Sequence, residues 1–223
     1  MPVRRAFTQS SPGYACHNRG VTAMQPRTSS NSLRRFASPV LLLAAMWVIQ
    51  FADAILPGSF TGFGLRSWDL SGLGGIILAP LLHASWAHLI ANSVPFLVLG
   101  CLVAVEGTRR FWAVTVIVTV ASGLGTWFFN APGTLTVGAS GLVFGYFGYV
   151  VLRVFAPGRI SHRILYAVIA LIVIALYGGS MLAGVVGVAD GTSWQAHLFG
   201  AIGGAAAALV GGRARPIHAR RRG

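Results

Sequence analysis

The chain has 223 residues, 55% of them hydrophobic and only 9% charged, whereas an ordinary soluble domain carries about 25% charged residues. With a mean hydropathy of +0.70, a water-soluble globular protein is excluded, and the length suits one compact membrane domain. The net charge of +13 comes from seventeen basic residues, all arginine, which fall almost wholly outside the apolar runs. They are distributed as topology signals and not as a nucleic-acid-binding face.

Residues 1–37 are rich in Ser, Arg, Pro and Gln and contain no acid, so they read as a disordered tail. Their composition also fits an organellar transit peptide, and Met24 offers a second start. Apolar runs follow at 38–56, 86–105, 111–129, 138–155, 164–183 and 194–210, each close to the roughly 20 residues that span a bilayer. The expected fold is all-α: a polytopic membrane protein with six transmembrane helices over residues 38–211, followed by a basic tail at 212–223. Sixteen arginines flank these runs on one side and Arg66 alone lies on the other, which predicts that both termini are cytoplasmic. The first external loop, 57–85, is apolar but broken by glycine, and it predicts an interfacial or re-entrant segment. The last external loop, 184–193, holds one acid, Asp190. Cys16 and Cys101 show neither metal spacing nor a disulfide framework.

Ionisable side chains inside a bilayer are costly, so each is a functional candidate. The second run and its approach carry His83, His88 and Asn92. The fourth opens with Gly138, Ala139, Ser140 and Gly141, and the sixth carries His197. The expected topology puts all three sets near the external face. Gly141, Gly145 and Gly148 recur at helical spacing, as do His197, Ala201 and Gly204 with Gly200 beside them. Two such small-residue faces let helix backbones approach closely, which brings Ser140 and His197 to one depth.

Ser140 opens its helix, where free N–H groups and the dipole favour a developing oxyanion. His88 and Asn92, four residues apart, share a face and add two donors. Nucleophile, base and oxyanion donors together make an acyl-transfer arrangement. Taken singly, each has a plainer reading: Ser140 as helix-packing glue, His197 as a structural hydrogen-bonder, His83 as a loop brace, and Glu106 beside Arg109 and Arg110 as a structural cluster.

At the segments His83-Ala-Ser-Trp-Ala-His88-Leu-Ile-Ala-Asn92, Gly138-Ala139-Ser140-Gly141 and Ala196-His197-Leu-Phe-Gly200-Ala-Ile-Gly203-Gly204, the sequence resembles the rhomboid family of intramembrane serine proteases. The resemblance implies Ser140 as nucleophile and His197 as general base. It implies an oxyanion hole from His88, Asn92 and the backbone N–H groups of Ala139 and Ser140. His83, Gly138, Gly141, Phe144, Gly200 and Gly204 would support them, with Phe144 packed on the imidazole. It also implies transmembrane protein substrates in a lipid bilayer, no metal or other cofactor, no nucleic acid partner, and a multi-pass location in a bacterial plasma membrane; oligomeric state is left open. Many members carry Trp-Arg in the first loop, whereas here Trp68 precedes Asp69 and Arg66 comes before it. Two rivals are a non-enzymatic relative, which should have lost Ser140 or His197, and a metal-binding or transport protein using His83, His88 and His197. Asp190, seven residues before His197, is not expected to act as a third catalytic member, because leaving water for the membrane interior costs several kcal/mol.

Overall fold

The computed structural model describes residues 30–155, 160–186 and 192–210. Asp190, most of the N-terminal tail and all of the C-terminal tail lie outside the described residues. Helix α1 (Ser30–Ile55) is followed by a short α2 (Gly75–Leu78). Then come α3 (Trp86–Ala104), α4 (Thr108–Phe129), α5 (Ser140–Phe155), α6 (Ile160–Val186) and α7 (Trp194–Val210). Among the described residues, three stretches, Leu33–Ile55, Trp86–Ala104 and Thr108–Phe129, are long and apolar enough to cross a bilayer. Helices α5 and α7, of 16 and 17 residues, reach only about 25 Å at 1.5 Å per residue. The chain is an integral membrane protein built as a helical bundle.

Helix α1 starts at Ser30, so residues 30–37 are helical and not part of a disordered tail. The physical reason is tertiary: Arg35 donates to the Val105 carbonyl at the end of α3 (3.0 Å), and its guanidinium lies over the Phe36 ring. Pro39, which suits the start of a helix, is thereby an interior residue.

Helix α5 is the central element and packs on α3, α4, α6 and α7. Its buried Tyr146, Tyr149 and Val150 meet Phe96 and Leu99 of α3 and Phe111, Val114 and Val118 of α4. Neither tyrosine hydroxyl is orphaned, as burial in an apolar core requires. Tyr146 shares a hydrogen bond with Thr115 (2.8 Å), and Tyr149 accepts from Arg110 Nε (2.8 Å). Leu41, Val48, Val116 and Leu171 point outward, as lipid-facing positions do.

At the arginine-rich end, Glu106 takes a two-pronged bond from Arg153 (2.8 and 3.0 Å) and a third from Tyr166 (2.8 Å). Burial works against its charge, but the Arg153 and Tyr166 hydrogen bonds prevail and hold the carboxyl below its usual range. Glu106 thus stands in a structural cluster, as expected, with Arg153 as its ion-pair partner. Arg110 instead serves Tyr149 and the Ala207 carbonyl near the end of α7 (2.6 Å), where a cation complements the helix dipole.

The 57–85 loop folds into single 3₁₀ turns around β1 (Leu65–Arg66), which pairs antiparallel with β2 (Leu135–Thr136). Leu65 sits opposite Thr136 and Arg66 opposite Leu135. Two donors add to the strap: Ser67 Oγ bonds the Thr126 carbonyl (3.2 Å) and Trp68 Nε1 that of Asn130 (3.0 Å). Trp68 sits at φ +63°, a left-handed conformation unusual for a bulky residue. Asp69 caps the next turn by accepting from Ser71 N (2.9 Å) and Oγ (2.7 Å). The Trp-Asp departure is thus a turn-capping arrangement.

Candidate active site

Helix α5 begins at Ser140 itself, two residues later than expected, because Gly138 is held by the outer loop and Ala139 is the turn residue whose carbonyl accepts the first helical bond, from Val143 N (3.0 Å). Gly138 N–H bonds the Ala79 carbonyl (2.8 Å). Its φ of +119° is open to glycine and strained for other residues. A side chain here would also collide with the His88 imidazole. Glycine therefore lets the approach to Ser140 pass directly beside His88.

Ser140 Oγ lies 2.8 Å from His197 Nε2, within hydrogen-bond distance. The imidazole is 6% exposed and stacks on Phe144 with centroids 4.1 Å apart and planes 4° from parallel. Phe144, one turn after Ser140, thus fixes the ring plane while the serine meets its edge. The two helices meet almost without side chains between them. A Cβ on Gly200 would strike the Gly141 carbonyl, one on Gly204 the Gly145 carbonyl, and one on Gly148 the Ala201 carbonyl.

His88 and Asn92 lie on α3 and line one cavity of about 820 Å³ with Ser140 and His197. Asn92 is 8% exposed, and one of its amide hydrogens goes to the His88 carbonyl (3.1 Å). Ser85 caps α3 by accepting from His88 N (3.1 Å). His83 precedes this helix, so helical spacing does not govern it, and its ring packs edge-on against His88 at 5.1 Å. It is 2% exposed, and burial with the neighbouring His88 drives its pKa down to about 4. Its Nε2 accepts the Ala139 N–H (3.4 Å). That donor, expected in the oxyanion hole, is turned toward His83 instead. The loop brace expected at His83 is therefore a brace on Ala139, the residue before Ser140.

No group of three or more His, Cys, Asp or Glu side chains stands close enough to hold a metal among the described residues. Ser122 of α4 was not among the sequence candidates. It is buried, donates to the Ala196 carbonyl (2.9 Å), and occupies the space a side chain on Gly141 would need. Gln195 was also missed. Its signal was present: Thr115, Thr119, Ser122, Thr126 and Asn130 recur at helical spacing along α4, a polar row for a polar residue on α7 to face.

A family model described as the Rhomboid domain matches residues 67–214. An uncharacterized protein of Mycobacterium tuberculosis is 39% identical over 175 residues, covering 75% of this chain and 71% of its own length. One from Mycobacterium leprae is 37% identical over 197 residues, 83% of this chain and 76% of the relative. A Bacillus subtilis protein, provisionally named a rhomboid protease, is 30% identical over 131 residues, 58% of this chain and 62% of the relative.

Proposed function

This chain belongs to the rhomboid family, and from that premise we propose that it is an intramembrane serine endopeptidase working through a Ser140–His197 dyad. The observation that carries the reading is the 2.8 Å contact between Ser140 Oγ and His197 Nε2 at the start of a helix. With Nε2 unprotonated, the serine hydroxyl donates to it. As Oγ attacks the scissile carbonyl, its proton passes to Nε2, and the carbonyl π electrons move onto oxygen. The Ser140 N–H, the His88 imidazole and the second amide hydrogen of Asn92 serve as donors to that oxyanion. Collapse of the adduct breaks the C–N bond, and His197 returns the proton to the leaving amine. Water then repeats the sequence on the acyl-enzyme. Phe144 holds the imidazole plane, so no carboxylate is needed to orient it.

In this reading the bundle crosses the membrane six times with α5 and α7 as its short central spans, and the arginine-rich end is cytoplasmic. The substrates are transmembrane segments cut near the external face. A helical segment hides its carbonyls in hydrogen bonds, so it must unwind before Ser140 can reach one, and Gly, Ser or Pro near the cut make that cheaper. The test is labelling of the purified protein by a serine-directed fluorophosphonate. Wild type should label and cleave a transmembrane substrate. Ser140→Ala and His197→Ala should do neither while remaining folded, because nucleophile and base act as one unit. Turnover retained in either variant would sink the mechanism.

A further inference from the structure

We infer that Gln195 is a positioning residue for His197: its buried amide latches the first turn of α7 to the end of α4 and so sets the imidazole against Ser140. The inference rests on the dyad reading above and gives a task to a residue that the dyad chemistry itself does not use.

His197 sits in the first turn of α7, which begins at Trp194. Helix ends open more readily than helix centres, so the base is only as well placed as that turn. On its C-terminal side, Gly200 and Gly204 seat α7 on α5, and Gly203 packs near Ala121 of α4. Ser193 caps the turn by accepting from Ala196 N (3.3 Å), but that bond moves with the helix. Beyond the contacts of His197 itself with Ser140 and Phe144 of α5, the turn is tied to α4. Ser122 donates to the Ala196 carbonyl (2.9 Å). Gln195 Nε2 donates to the Phe129 carbonyl (3.2 Å) and to Asn130 Oδ1 (3.3 Å). Gln195 is 6% exposed, so its amide cannot exchange these partners for bulk water without cost.

The anchor is itself fixed. Trp68 Nε1 bonds the Asn130 carbonyl (3.0 Å), and Trp127 Nε1 bonds that of Asp69 (3.0 Å), so the outer loop holds the end of α4 from above. One turn below the latch, Phe199 stacks on Phe129 at 4.9 Å. That contact excludes lipid but tolerates sliding and rotation, whereas the directional bonds of Gln195 do not. A side-chain atom stands about 6 Å from its helix axis, so turning α7 by about 10° displaces the imidazole by about 1 Å. Misplacement on that scale costs up to ~10²-fold in rate.

The test uses the full-length protein in detergent, with a transmembrane substrate and the fluorophosphonate. Gln195→Met keeps the length and apolar bulk of the side chain and removes its donors. Its kcat and its rate of Ser140 labelling should fall about tenfold or more, with KM unchanged, at a temperature well below its Tm. A purely structural residue would lower Tm and leave kcat alone, so wild-type kcat and labelling in folded Gln195→Met would overturn the inference. If that variant does not fold, Asn130 decides. Asn130→Asp keeps an acceptor for the Gln195 amide and should retain the wild-type rate, whereas Asn130→Leu should be slower; equal rates would overturn the latch. Wild type and Ser140→Ala are labelled alongside. An unlabelled wild type removes the dyad and the latch with it, while a labelled wild type beside an unaffected Gln195→Met removes the latch alone.

Discussion

His83 shows how one side chain ties chemistry to stability. Its neutral form is favoured in the folded protein, with the pKa lowered from 6.5 to about 4. Its contribution is therefore complete above pH 6.5 and is lost as pH falls from 6.5 toward 4, because the unfolded chain takes up the proton first. A shift of that size corresponds to about 3 kcal/mol. Thermal unfolding of wild type between pH 7 and 4.5 should show this loss, and His83→Asn should flatten the profile; parallel profiles would remove His83 as its source. The neighbouring Gly138 is constrained in another way. Gly138→Ala would place a methyl group in a left-handed conformation and against His88, so cleavage should fall by ~10² or more, as when an oxyanion donor is lost. His88→Ala and Asn92→Ala should each cost ~10²–10³ for the same reason.

Between helices, the contact of α5 with α7 is the one on which the site depends. Gly204→Val would drive its Cβ into the Gly145 carbonyl and add two methyl groups to the seam. Overpacking of this kind costs about 1–3 kcal/mol, and the dyad should separate before the bundle unfolds. The expected result is a lowered Tm with loss of fluorophosphonate labelling already at temperatures where the variant is folded. This pairing was legible in the sequence because glycine at i, i+4 and i+7 has one geometric meaning in lipid. The neighbours of Ala139 were not legible, because His83 lies in a loop whose path is set by the β1–β2 pair, and a two-residue strand leaves no periodic trace. Gln195 differs: the polar row of α4 that ends at Asn130 was legible, but the other partner of its amide is the Phe129 carbonyl, and a backbone partner carries no residue-type signal.

For the molecule as a whole, orientation is the property that arginine placement addresses and packing does not. Reporter fusions after Pro132 should register outside the cell and fusions after Gly158 inside; the reverse result would put the dyad at the wrong face for external cleavage. The apolar runs that became α3 and α4 were readable because the thickness of a bilayer sets the length of a spanning helix. The start of α1 was not, since it depends on Arg35 reaching Val105 across 70 positions of sequence. The bare seam between α5 and α7 also has an entropic side. When helices associate in a bilayer, most contacts freeze rotamers on both partners, at about 0.5–2 kcal/mol for each long side chain immobilised. Gly141, Gly145, Gly148, Gly200, Ala201 and Gly204 have none to freeze, so the docking that aligns Ser140 with His197 loses little side-chain disorder. Warming the protein should then loosen its leucine- and valine-lined contacts before this one, leaving Ser140 and His197 in register late into unfolding.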